Sequence, residues 1–576
     1  MKHKFFIISF AVVIVVQLLL SFQGFDLCDE GFSLTFYQQF YNDPASVEYN
    51  FVYWLSGLIG GLWYELFPEG GILWFRLLAV VCNSLTFFLG YKILHRYLGV
   101  KWTVIGLTMA LFANNFGFLV FYHNQLTALM ALWAICLMQK GLLQGKNRLL
   151  LFAGVILGVN IFTRIPNLTL LGFVGVVPLY FWGKEWFKNS VFPILYFAFG
   201  NILGIGLVFL ILASLGQVEI MFGALESLFY LGSQSDSGHN SGALINVFLG
   251  NHITTFVLGC VLLVVCFGFT SVFSWFEKQK TVLISILVFA FLLFCYLHHK
   301  HWIFVLYAMG YLGAVFFLFF KDKDYRLLGA FSFLLLFFMP LGSGGAIKSS
   351  GYMGVWLAVP VFLYGLSQIK SLSLIATALH EHFQVTVGEK SLKMLLNLVV
   401  LSFFVVKTWA VLNEAYFDEG SRFKKTETVN SVFARGILTT TERAKVVNDL
   451  LPHLNKYVTK DDYLFTYDNA PMLHFLTETK PYMYNPWVWI YDEKSFKFRL
   501  EEAENSRPEL PIVVQQKFNT IKTFSEPIDN YMAVTDDNPY LYSKNRTLMM
   551  NAFLKRNHYE IVWQNAYFNI YKAATN

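Results

Sequence analysis

The pattern of apolar and polar positions divides the chain in two. Up to about residue 412, long apolar runs recur between short polar turns. A helical run of about 20 apolar residues matches the hydrocarbon core of a bilayer. The pattern predicts spanning helices near 5–22, 72–91, 102–121, 124–139, 149–163, 168–183, 191–213, 252–270, 281–297, 302–320, 327–341, 354–369 and 394–412, thirteen in all. Beyond residue 412 the runs stop. There, 441–454 has helical spacing, 463–467 and 511–515 read as strands, 470–476 as a helix, and 559–564 with 566–572 as a terminal hairpin. The expected fold is an α-helical polytopic membrane module over 1–412, followed by a soluble α/β domain over 413–576.

Charge sharpens this division. Only 14% of the chain is charged, against about 25% for soluble domains. The last 164 residues hold 20 basic and 21 acidic groups, and the first 412 only 23 and 16. Alternating the thirteen expected spans from a cytoplasmic N-terminus leaves eighteen Lys/Arg on the cytoplasmic side. The other side then holds four before the last span: Arg76, Arg164, Lys300 and Lys348. That bias sets the orientation: a multi-pass protein of the cell (inner) membrane, with the C-terminal domain outside, in the periplasm. The net charge of +6 is therefore topological and does not point to nucleic acid. No small-residue cleavage pattern follows the first apolar run, so a retained anchor is expected. The stretch 51–67 is apolar enough to span, but crossing there would invert the bias. Its three glycines and its Trp/Tyr content suit an interfacial or re-entrant helix.

Candidate chemistry concentrates in the outer loops. The first, 23–71, opens with Asp26, Asp29 and Glu30, followed by Phe32, Phe36, Tyr37, Phe40 and Tyr41 at roughly helical spacing. A carboxylate there is placed to accept a proton from a hydroxyl; the plainer alternative is a solvated acidic patch. The outer cations suit an anionic group, with arginine the better bidentate phosphate partner, although Arg76 also fits simple snorkelling at its span's head. The 298–301 tract (His298, His299, Lys300, His301) reads as a cationic anchor, a phosphate contact or a metal tract. Gly342-Ser-Gly-Gly345 with Lys348 offers backbone N–H groups beside a cation. The 215–251 loop holds Glu219 and Glu226, seven apart and so on one helical face, with Asp236 and His239. A second acidic site and a solvated amphipathic helix both fit that spacing.

An acidic pair opening the first outer loop, two surface helices after it and an arginine heading the second span resemble the GT-C superfamily of integral-membrane glycosyltransferases. The Tyr122-His-Asn-Gln-Leu-Thr127 and Thr163-Arg-Ile-Pro-Asn167 segments sit where such families place outer-edge polar residues. The resemblance implies an inverting transferase that moves a sugar from a polyprenyl-phosphate-linked donor to an acceptor hydroxyl on the outer face. The acceptor is a lipid, glycan or protein. It implies Asp29 as general base with Glu30 as its acidic neighbour. Arg76, Arg164, His299, Lys300 and Lys348 are the candidate donor-phosphate contacts, and Glu219 and Glu226 a candidate acceptor or second acidic site. It leaves a divalent cation open. A lipid-linked glycan transporter or flippase, or an oligosaccharide polymerase or ligase, is the alternative. Carriers usually place ionisable groups near mid-membrane and show repeats; the apolar runs here hold almost no acidic residues and show no repeat.

Overall fold

The computed structural model describes every residue except 1, 114–118, 183–185, 234–239, 277–278, 379–380, 508, 519, 521–526, 528–543 and 575–576. Asp236 and His239 thus lie outside the described residues. Each of the thirteen expected apolar segments overlaps a helix among the described residues; 114–118 of the third and 183 of the sixth lie outside them. By length and composition, six described helices suffice to cross a membrane, and the bent pair Ile347–Met353 with Val355–Gln368 makes a seventh. Others are apolar but shorter, such as Lys4–Leu20 and Trp302–Leu318. The element Gly71–Phe112 is two helices joined at Gly99, whose φ of 70° and ψ of 163° break the helix. A Cβ at Gly90 would lie 2.7 Å from Leu107. In one straight helix those residues would stand about 25 Å apart, so the chain doubles back at this basic turn.

The bundle presents apolar side chains outward. Leu210 is 71% exposed, Phe256 73%, Val264 72% and Phe289 70%. An apolar belt of this kind is a lipid-facing surface, and the chain is a multi-pass membrane protein.

The C-terminal part is an α/β layer around a five-stranded sheet. Its strand Tyr463–Tyr467 lies parallel to both Ile512–Gln516 and Lys480–Pro481, and the hairpin Tyr559–Gln564 and Phe568–Ala573 extends the other edge antiparallel. Helices Thr441–Leu454, Glu493–Ser506 and Lys544–Arg556 accompany it. The last two were not expected from the sequence. The antiparallel pair Ser371–Ala378 and Glu381–Gly388, between two apolar helices, was not expected either.

Two cores organise the molecule. One lies wholly within the helical bundle. The other joins residues of the first outer loop, including Phe25, Phe36, Phe40 and Trp54, to Leu464, Phe465, Met472 and Val513 of the C-terminal domain. Helix Asp29–Gln39 sits at this junction, with every residue from Glu30 to Gln39 buried. Backbone bonds stitch the two parts together. Gly24 N–H donates to Leu438 (2.8 Å), Leu438 N–H to Phe22 (2.7 Å) and Met472 N–H to Leu27 (3.1 Å).

The segment 51–67 becomes helix Trp54–Leu66. Its glycines serve packing: a Cβ at Gly57 would lie 2.2 Å from the Phe36 ring, and one at Gly60 2.3 Å from Tyr37. The same constraint acts on the acidic helix. A Cβ at Gly31 would lie 2.2 Å from the Met472 backbone nitrogen.

Alanine normally stabilises a helix over glycine by about 1 kcal/mol. Gly31→Ala is expected to do the reverse, because overpacking against a backbone costs about 1–3 kcal/mol. Thermal unfolding of the detergent-purified protein measures it. A raised midpoint would show that the interface between loop and domain yields freely.

Candidate active site

The acidic helix begins with a cap supplied from outside. Asp26 Oδ1 accepts from Cys28 N–H (2.6 Å) and Oδ2 from Glu30 N–H (2.8 Å). Both donors would otherwise be unpaired at a helix start. Burial and the nearby Asp29 raise the Asp26 carboxyl well above the ordinary range.

The two acidic residues that follow part company. Glu30, 1% exposed, meets Arg76, 4% exposed, in a bidentate pair: Nε to Oε1 and Nη2 to Oε2, both 2.8 Å. Arg76 also donates to the carbonyls of Ser21 (2.8 Å), Gln23 (3.3 Å) and Gly24 (2.7 Å). These bonds use all five guanidinium donors. The adjoining space, lined also by Asp26, Tyr416 and Arg422, measures about 20 Å³, room for one water. Glu30 and Arg76 therefore form a clamp in which each is the other's partner: Glu30, expected as the acidic neighbour of the base, and Arg76, expected as a donor-phosphate contact, are bound to one another.

Asp29 points elsewhere. It is half-buried, and the Tyr416 hydroxyl donates to its Oδ2. Burial raises its carboxyl to about 6, while the Tyr416 bond pulls the other way. Burial and Asp29 itself push the Tyr416 phenol up, so Tyr416 stays the donor. At neutral pH Asp29 is mostly ionised yet more basic than an exposed carboxylate. Tyr416 was missed in the sequence. It lies 387 positions away, and only its place just past the last apolar helix hinted at the outer face.

Around Asp29 stand half-buried phenols. Burial raises Tyr53; next in size, Arg164 lowers it and Asp29 raises it. Burial and then Asp29 raise Tyr122. Both phenols thus lie within the field of Asp29, and Tyr53 also lies within that of Arg164. Tyr53 stacks on His123 at 3.9 Å between ring centroids.

The two polar segments singled out in the sequence interlock here. Arg164 Nη1 donates to Asn124 Oδ1 (3.5 Å), and Asn167 Nδ2 donates to Thr127 Oγ1 (2.9 Å). Arg164 Nη2 donates to the Leu341 carbonyl (2.7 Å). That places Arg164 against the 342–345 loop, where a Cβ on Gly342 would strike Pro166. Arg164 is 4% exposed, and no carboxylate pairs with it among the described residues.

The other candidates are dispersed. Lys348 is exposed on the short helix Ile347–Ser350, after the loop that Arg164 touches. His299 and Lys300 are exposed at the end of helix Lys280–Lys300, and no described contact joins them to Asp29. Glu219 and Glu226 are exposed on helix Val218–Ser233. Glu226 lines a cleft beside Glu48 and Arg499. Among the described residues no group of three His, Cys, Asp or Glu is placed to hold a metal ion.

No family model matches the chain, and no curated protein matches it. Among solved structures it is similar to the crystal structure of ArnT from Cupriavidus metallidurans bound to undecaprenyl phosphate. That similarity covers 99% of this chain and 98% of that one, at 11% sequence identity and a TM-score of 0.49.

Removing one partner of a buried ion pair strands the other charge and costs about 3–5 kcal/mol. Arg76→Met is expected to lose stability on that scale. The double variant Glu30→Gln/Arg76→Met should recover part of it, since no charge is left unpaired. Chemical denaturation of the three proteins in detergent tests this. Equal losses in the single and double variants would mean that the clamp is not a coupled unit.

Proposed function

We propose that the protein is a membrane glycosyltransferase. It moves a sugar from a polyprenyl-phosphate donor to an acceptor hydroxyl on the outer, periplasmic side of the membrane. One observation carries the reading: a half-buried carboxylate raised to about 6, Asp29, shares a wall of phenols with a buried arginine, Arg164, that has no carboxylate partner among the described residues. Transfer from a phosphate needs both, a base for the incoming hydroxyl and a fixed cation for the departing phosphate.

In this mechanism Asp29 takes the acceptor proton as the acceptor oxygen attacks the anomeric carbon. The bond from that carbon to the donor phosphate oxygen breaks, and its electron pair leaves with the polyprenyl phosphate. A single displacement of this kind inverts the anomeric centre. Arg164 meets the charge that develops on the phosphate, favouring the transition state over the ground state. Lys348, on the adjoining segment, is the second phosphate contact. Tyr416 is a positioning residue: it orients the carboxylate and holds its pKa down. Glu30 and Arg76 fix the helix that presents Asp29. The eighteen-to-four distribution of Lys and Arg supports placing this face outside.

Asp29→Asn is expected to abolish transfer while preserving the fold. The sign for stability follows from linkage. A folded-state pKa above the unfolded value means that the protonated form is favoured on folding. Stability is then full below about pH 4 and falls as Asp29 ionises up to about pH 6. The neutral amide should therefore unfold at an equal or higher temperature than wild type at pH 7. Transfer by the wild type should rise with pH through about 6, and Tyr416→Phe should move that limb upward. Transfer assays on membranes, with the released polyprenyl phosphate as readout, check the three transfer outcomes, and thermal unfolding in detergent at pH 7 checks the stability of Asp29→Asn. Undiminished transfer by Asp29→Asn would remove the mechanism.

A further inference from the structure

A second cavity lies beside the proposed site, of about 340 Å³, between the 3-10 helix Pro44–Tyr53, helix Val218–Ser233 and helix Glu493–Ser506. Three separate parts of the chain close it: the first outer loop, a later outer loop and the C-terminal domain. Its walls mix aromatic rings with carboxylates.

The charges are unevenly committed. Arg499 bridges Glu48 and Glu502 (2.7 Å to the latter) and donates to Ser227. The single cation is thereby neutralised within the wall. Glu226, exposed and lining the same space, has no ion-pair partner among the described residues. The cavity therefore carries net negative charge and repels phosphate and carboxylate ligands.

Tyr49 supplies the second observation. It is 6% exposed and lines the cavity, and its hydroxyl, which makes no hydrogen bond among the described residues, is not one of the fully enclosed orphan atoms, so the little it exposes opens to accessible space. A buried phenol normally finds a partner. Tyr230 and Phe498 are exposed at the same cavity, 42% and 58% respectively, and offer apolar ring faces. Ring faces beside hydroxyl and carboxylate acceptors match the alternating C–H faces and hydroxyl edges of a pyranose.

The cavity is connected to the Asp29 wall. Tyr49 meets Phe32 edge-on at 6.5 Å, and Phe32 meets Tyr53 edge-on at 6.4 Å. Phe32 lies one turn after Asp29 on the same helix. The helix Pro44–Tyr53 thus carries Tyr49 at the cavity and Tyr53 beside the proposed base.

We propose that this cleft is an acceptor subsite for a non-anionic saccharide, bound by Tyr49 and Glu226 and stacked on Tyr230 and Phe498. The assignment of the bound sugar as acceptor rests on the transferase reading above; the binding itself does not. The test therefore uses binding rather than transfer. A glucosamine trisaccharide, its N-acetylated counterpart and glucose 6-phosphate are titrated into the full chain carrying Asp29→Asn, in detergent, with saturation-transfer NMR as readout.

Both trisaccharides are expected to bind, the cationic one more tightly, and the phosphate is not. Tyr49→Phe and Glu226→Gln should each weaken binding roughly five- to tenfold, the scale of one lost hydrogen bond to a ligand. Thermal unfolding of each variant confirms that it is folded. No saccharide binding, equal binding of glucose 6-phosphate, or binding unmoved by both substitutions overturns the subsite. Saccharide binding by a protein whose Asp29→Asn form still transfers sugar would leave the subsite standing and remove the mechanism instead.

Discussion

The bidentate Glu30–Arg76 pair holds the acidic helix to the first long helix of the bundle, and the outer face is arranged around it. Both charges are almost fully buried. Such a pair is stable only when each remaining donor and acceptor finds a partner. The carbonyls of Ser21, Gln23 and Gly24 meet that demand. The same bonds fix the backbone between the first apolar helix and the acidic helix. Asp26, capping the helix start within that segment, completes the restraint. Asp29 is the residue left facing outward from a helix that cannot rotate.

The C-terminal domain is part of the same construction. It shares a hydrophobic core with the first outer loop. Asp418 receives the Phe25 N–H (2.8 Å) and the Thr439 hydroxyl (2.7 Å), and pairs with Lys425 (3.1 Å) and Arg443 (3.5 Å). Tyr416, two residues earlier, reaches Asp29 from this hub. The proposed base thus owes its place to the bundle and its orientation to the domain that follows it. Its pKa near 6 is a balance between burial, which both parts create, and one hydrogen bond from the second.

Much of this architecture was legible in the sequence because it rests on local periodicity. Apolar runs marked the bundle helices, and helix Thr441–Leu454 and strand Tyr463–Tyr467 fall where spacing placed them. The strand 511–515 and the second hairpin strand shifted by one or two residues, to Ile512–Gln516 and Phe568–Ala573. Helix Glu493–Ser506 was legible in principle, since Phe496, Leu500 and Ala503 form one buried face behind the Asp492 cap. Its strongly charged remainder obscured that face. The glycines of 51–67 suited a membrane surface equally well until Phe36 and Tyr37 were seen to fill the space above them. Pairings across long separations left no trace. No local pattern shows that Glu30 pairs with Arg76 across 46 residues, a pairing that includes neither Asp29 nor Arg164.

Asp29 is a half-buried carboxylate raised to about 6 by desolvation and kept from rising further by the Tyr416 hydroxyl. A direct test is the carboxyl carbon-13 resonance of Asp29 in protein labelled at aspartate, assigned by its loss in Asp29→Asn and followed from pH 4 to 8. The account gives a midpoint near 6 that moves upward in Tyr416→Phe. A midpoint near 4, the ordinary aspartate value, unmoved by that substitution, would contradict it.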